Sequence, residues 1–436
     1  MLNKGGLVNE IRPFKGIIYN KEIIKDLSLV LTPPYDIIDT NMQEDFYNKN
    51  EYNFIRIDYG KKYNNDDEKN NVYTRAKEYF NEWLSKKILI RTPKPAFYIL
   101  KQNYNFDGKS YEKIGFYGLY RLSDYSLETI MPHEKTQSGP KEDRFRLTLA
   151  CNAYFSAIYS VYEDSEMTVE KLFKNNIFQE LFSYRDYQNV QNTLYISTNE
   201  NINNQISSLL SKKRLIIADG HHRYETALRV KRELKGKYVN NSIDYALMYF
   251  SNLSDPDILI LPTHRLIDEI NFDETEFLNF LKANFKISFY EKNALHDIFK
   301  EIKNLPEVKF ICALKDKLIL IETENKNYEK FFPTTMPEIL KKLDVNILFY
   351  GILKPALNIT EEDLANQKKV SYSKDVFSAV DVVSKGEKKL AFILQNPKPE
   401  FLKKVIDIKE TMPQKSTYFY PKIPSGAVIY TFDADN

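Results

Sequence analysis

The 436 residues carry 62 lysines and arginines against 60 aspartates and glutamates, a formal net charge of +2, with 43% hydrophobic and 28% charged residues. That balance belongs to globular chains with a large core and gives no reason to expect a nucleic-acid footprint or an anionic-membrane partner. Two cysteines argue against a disulfide scaffold or a thiolate metal site, and no signal-like or membrane-length apolar run is present, so the expected location is cytoplasmic.

Taken in order, Pro13 and Gly16 make residues 11–19 a loop that leads into a short strand. Pro33 and Pro34 stiffen the next loop, which carries Tyr35 and Asp36 either as fixed functional groups or as parts of a structural turn. Residues 53–58, NFIRID, alternate as a strand. Residues 73–84 show helical spacing, with Ala76, Tyr79, Phe80 and Trp83 on one side. Strands are expected at 97–102 and 114–122.

The polar stretch 131–146, MPHEKTQSGPKEDRFR, is broken by Gly139-Pro140 and then turns helical. It offers an imidazole in His133, an acid or base in Glu134, and cations in Lys141 and Arg144 that can meet phosphate. The same composition also fits an ordinary surface loop. Gln137 stands where a metallopeptidase helix needs its second histidine, so metal is not expected there.

Residues 153–161 and 193–197 read as strands and 201–212 as a helix. The stretch 215–228, LIIADGHHRYETAL, follows. Its apolar run predicts a buried strand, Asp219-Gly220 a tight turn, and Tyr224, Ala227, Leu228 and Val230 one face of a helix. Free N–H groups at the first helical turn favour an anion. Beside them stand Asp219, Gly220, His221, His222 and Arg223, which together form a candidate cradle for phosphate or carboxylate. The plainer reading is a capping aspartate with two surface histidines. Two of only five histidines adjacent in one turn, with Asp and Arg, favour the cradle.

Strands are expected at 243–250 and 258–261, and His264 and Arg265 come just after the second, where open sheets place ligand-binding groups. Beyond 268 the texture changes. Helices are expected at 274–281, 295–303, 333–348 and 401–408, strands at 285–290 and 390–394, and a hairpin from 308–314 and 318–322. In the polar loop 412–422, bracketed by Pro413 and Pro421, Lys415, Ser416, Thr417 and Lys422 form another anion-capable set. The expected domains are 1–267 and 268–436. No glycine-rich nucleotide loop and no serine elbow is present.

RPFKG at 12–16, PPYDII at 33–38, HEKT with KEDR over 133–144, IADGHHRYETAL at 217–228, LPTHR at 261–265 and MPQKSTYFYPK at 412–422 occur in the order of the domain-of-unknown-function 1015 family. The resemblance covers almost the whole chain. The 217–228 stretch also resembles the phosphate-binding turn of the ParB/sulfiredoxin superfamily. Sulfiredoxins carry Gly-Cys-His-Arg-Tyr, and His221 stands here in place of the cysteine, which argues against sulfinic acid reduction. ParB-type proteins bind and cleave CTP beside such a turn, and the superfamily includes a free-serine kinase. Genes of the resembled family often neighbour serine-biosynthesis genes.

These readings lead to an α+β fold with a mixed-sheet core, a ParB/sulfiredoxin-like strand-turn-helix element and additional α/β elements. The expected function is phosphoryl transfer or phosphate-ester chemistry on a small metabolite, with serine or phosphoserine as the resemblance implies. ATP, ADP or CTP with Mg2+ would be the cofactor. Glu134, Asp219, His221, His222 and Arg223 are the expected catalytic groups. Gly220, His133, Lys141, Arg144, His264, Arg265, Lys415, Ser416 and Thr417 are the expected binding groups, and Asp36 and Asp219 the expected metal ligands. The alternative is a regulatory protein that binds a nucleotide or metabolite without turnover. A DNA-associated role by analogy with ParB meets no basic arm and no helix-turn-helix segment.

Overall fold

The run Leu215–Ala218 becomes the buried part of a strand, Leu215–Asp219, next to the edge strand of a large mixed sheet. The computed structural model describes residues 8–134, 139–238, 241–268 and 270–433. The chain divides into two units. One comprises 1–132, 136–259 and 421–436, the other 133–135 and 260–420. The boundary expected at 267/268 is thus found at 259/260, and the C-terminal stretch from Pro421 returns to the first unit. Local sequence texture carries no sign of that return, because it is set by long-range pairing.

In the first unit, the sheet among the described residues runs in the order Ile130–Pro132, Leu215–Asp219, Ile158–Tyr162, Tyr245–Asn252, Lys109–Arg121, Phe97–Phe106, Gln191–Ser197, Gln179–Arg185. Ile11–Arg12 also pairs with Lys109–Arg121. Leu215–Asp219 runs parallel to Ile130–Pro132, and Tyr245–Asn252 runs parallel to Ile158–Tyr162. The other pairings are antiparallel, which makes the fold α+β. Tyr245–Asn252 is buried at every position, as expected of a strand covered on both faces.

Residues 53–58 depart from the expected strand. Asn53 Oδ1 accepts from the Ile55 N–H, and a short helix, Ile55–Asp58, follows. A local side-chain-to-backbone turn decides where a six-residue alternation is ambiguous. The strand expected over 153–161 is split into Ala153–Tyr154 and Ile158–Tyr162.

The second unit has a six-stranded antiparallel sheet, Lys286–Tyr290, Leu318–Glu322, Lys309–Ala313, Leu390–Ile393, His264–Ile267, Val370–Ser373. The hairpin expected across 315–317 forms as read. Leu295, Ile298 and Ile302 line one face of the helix Leu295–Ile302 and pack with Val376, Ala379, Val380 and Val383 of the helix Val376–Ser384 over Ile311, Ala313 and Ile393. The helix expected at 333–348 starts only after Pro337 and is two short helices, Glu338–Lys341 and Asp344–Leu348. Among the described residues no helix is long and apolar enough to cross a membrane.

Candidate functional site

Asp219 ends its strand, and Gly220 turns the chain with φ +87° into the helix His221–Glu233. A Cβ at Gly220 would meet Arg223 Nε at 2.7 Å, so glycine serves both the left-handed backbone and the return of the arginine. Arg223 folds back and donates to Asp219 Oδ2 at 2.7 Å and to the Ala157 carbonyl. Lys422, nearly buried, donates to Asp219 Oδ1 at 3.1 Å. One carboxylate is therefore held between two cations. His221 and His222 are half-buried at the first helical turn.

A second network lies in the same unit. On the helix Gly139–Cys151, Arg144 donates through Nε and Nη2 to Asp143 Oδ2 and through Nη1 to Asp58 Oδ1 at 2.8 Å. Its guanidinium stacks 4.2 Å over the Tyr35 ring. Tyr73 donates to Asp143 at 2.9 Å, and Ser156 to Asp58 at 3.1 Å. Burial pushes the Tyr35 hydroxyl well above its usual range. Asp36 and Asp219 add to the shift, and Arg144 and Arg223 oppose it, so Tyr35 feels both arginines. Arg144, Arg223, Asp58, Ser156, Thr148 and Thr226 line one pocket. Lys141 pairs with Glu225.

A resident divalent ion does not fit the expected ligands. Both oxygens of Asp219 already face cations, and Asp36 is exposed on the rigid loop. Among the described residues no three His, Cys, Asp or Glu side chains gather as a metal site.

The remaining sequence candidates fall in the second unit. Lys135 and Thr136 of the HEKT stretch lie outside the described residues. The Glu134 carboxylate is enclosed by the 415–417 backbone. Oε2 accepts from Lys415 N, and Oε1 accepts from Ser416 N, Thr417 N and Thr417 Oγ1, each at 3.1 Å. Lys415, with φ +56°, shapes this nest of N–H groups. Buried His133 lies 2.7 Å from Thr417 Oγ1 through Nε2, and the hydroxyl passes the chain on to Glu134. Glu134 therefore anchors a loop.

His264 and Arg265 follow the strand Leu259–Leu261, as expected, and themselves open the next strand, His264–Ile267. His264 Nδ1 accepts from Leu394 N at 3.2 Å, and its ring meets Phe299 edge-on. Burial, with Arg265 adding, pushes its pKa down to about 3, so it is neutral. Arg265 is buried over Tyr372 and donates to the Thr263 carbonyl. Among the described residues no carboxylate comes within ion-pair reach of it.

The sequence reading missed Asp58, Tyr73 and Ser156. Asp58 was hidden by the expected strand, and nothing local marks the other two.

Residues 11–346 match the family described as "Protein of unknown function (DUF1015)". No curated protein matches the chain. Several solved structures are similar to it. A conserved hypothetical protein from Pyrococcus furiosus is 15% identical, with 71% of this chain and 93% of that one covered and a TM-score of 0.34. A free serine kinase variant in complex with AMP is 12% identical, with 68% and 91% covered and a TM-score of 0.34. C-terminally truncated SbnI from Staphylococcus aureus is 9% identical, with 70% and 85% covered and a TM-score of 0.33. Superpositions this distant leave the site to be read from its own residues.

Proposed function

The chain belongs to the DUF1015 family, and we propose that it handles a phosphate ester at the end of the strand Leu215–Asp219. The observation that carries the reading is that Arg144 and Arg223 line one cavity while Lys422 shares Asp219 with Arg223. Phosphoryl oxygens entering there compete with the carboxylates for two guanidinium forks, whose planar geometry suits them. The first-turn N–H groups add positive potential, and the His222 ring stands beside them. Asp219, released from its cations, takes the proton from an attacking hydroxyl or water. Arg223 then offsets the charge that develops on the transferring group. ATP, ADP or CTP would serve as phosphoryl donor, and magnesium would arrive on the nucleotide's own phosphates. Glu134 holds the 415–417 loop in this scheme and takes no proton.

The test is phosphoryl transfer to serine with each nucleotide and magnesium, and hydrolysis of phosphoserine, by the wild type and by Arg223→Ala. Turnover that disappears in a folded Arg223→Ala supports the proposal. Absence of both turnover and phosphate-ester binding in the wild type refutes it. One observation favours a second reading, binding without turnover: a carboxylate pinned by two cations is a weak base. Tight binding with no product would select that reading.

A further inference from the structure

One face of the large sheet carries a polar set that the phosphate reading does not use. Gln102 lies opposite Lys113 and Asn192, Asn192 opposite Tyr184, Tyr117 opposite Tyr249, and Tyr249 opposite Tyr159. Directly opposed residues project to the same face, and alternate positions of one strand share it. Lys113 is fully buried there. Its Nζ donates to the Pro421 carbonyl at 3.0 Å and lies 5.1 Å and 5.8 Å from the ring centres of Tyr159 and Tyr249. Among the described residues no carboxylate comes within ion-pair reach of it. Burial, with Lys422 nearby, pushes its pKa down to about 7, and Asp255 opposes the shift from beyond ion-pair distance.

Around this lysine, four buried atoms lack a partner among the described residues. They are Gln102 Oε1 and the hydroxyls of Tyr117, Tyr184 and Tyr249. Buried polar atoms are nearly always satisfied, so such a set asks for an occupant. Gly115 leaves room for one of these groups, since a Cβ there would come within 2.3 Å of the Tyr249 hydroxyl. A pocket lined by Thr32, Phe46, Asp186, Tyr187 and Lys422 has Tyr184 in its wall.

We propose that this face binds a small carboxylate that also carries a hydroxyl or amino group. The carboxylate supplies the anion Lys113 lacks and accepts from the tyrosine hydroxyls, and the second group donates to Gln102 Oε1. Lys422 nearby is held by Asp219, which leaves the Lys113 ammonium to match one carboxylate charge.

The test is titration calorimetry on the full chain with L-serine, L-lactate, acetate and glycerol. Serine and lactate should bind, acetate more weakly, and glycerol not at all. Tyr117→Phe and Tyr249→Phe each remove one unpartnered hydroxyl and keep the packing. Each should weaken lactate binding about tenfold, the worth of one good hydrogen bond. Lys113→Met should abolish it. Should that variant not fold, the two phenylalanine variants decide. Arg223→Ala should bind lactate as the wild type does, because the tested residues are not those of the phosphate reading, and either proposal can fail alone. No binding of any probe at millimolar concentration, or lactate affinity unchanged in both phenylalanine variants, overturns the proposal and leaves water as the occupant.

Discussion

Replacing Glu134 by alanine should open the 415–417 loop. The carboxylate accepts from three backbone N–H groups and one hydroxyl, all at 3.1 Å. A hydrogen bond to a charged group contributes roughly 1.5–3 kcal/mol, but such bonds to one carboxylate are not additive, and water can reach a side chain that is 13% exposed. A local loss of about 3–4 kcal/mol is therefore expected. Lys415, at φ +56°, adds to the tendency to open, because a left-handed backbone is unfavourable for a lysine. The assay is amide hydrogen exchange at residues 415–417. About 3 kcal/mol corresponds to a fall in protection of roughly two orders of magnitude. Glu134→Gln should fall between wild type and alanine, since its amide keeps one acceptor oxygen and sets an NH2 group against a backbone donor. Unchanged protection in Glu134→Ala would refute the reasoning and show that other contacts hold the loop.

Three further outcomes follow from the same geometry. Arg144→Ala leaves Asp58, 2% exposed, without its counter-charge, and should cost roughly 3–5 kcal/mol in denaturant melts. Gly220→Ala puts a Cβ against Arg223 Nε in a left-handed backbone, and should cost about 1–2 kcal/mol and weaken phosphate-ester binding together. His264 is neutral in the fold with a pKa near 3, whereas the unfolded chain takes up a proton near 6.5. Below 6.5 the unfolded state binds more protons, so stability is lost as pH falls through that window. By pH 4 the loss is roughly 3 kcal/mol. His264→Gln should show a shallower acid slope in melts from pH 7 to 4, and an equal slope would refute the assignment.

Periodic and punctuated stretches were legible in the sequence. The run 215–218 followed by Asp-Gly gave the strand, the turn and the helix start, because each is set by local residues. The hairpin across 315–317 was legible for the same reason. Residues 53–58 were not, because one asparagine side-chain turn outweighs a short alternation. The site was legible in its parts and not in its grouping. Asp219 and Arg223 are four apart on one motif, but Lys422 reaches Asp219 only through the return of the C-terminal stretch. Asp58 and Arg144 meet across 86 residues of sequence, and no local pattern records that pairing. Glu134 and Lys415–Thr417 each looked able to act on a ligand. In the structure the Glu134 carboxylate accepts from the backbone N–H groups of residues 415–417.

Titration calorimetry of phosphoserine and of ADP with magnesium into the full chain and into Arg223→Ala bears on whether the Asp219 cluster takes phosphate. Wild-type binding that weakens about thirtyfold or more in a folded Arg223→Ala is the predicted result, since truncating one member of a buried charge pair costs roughly 2 kcal/mol or more. No binding of either compound to the wild type, or equal affinity in the variant, would contradict it.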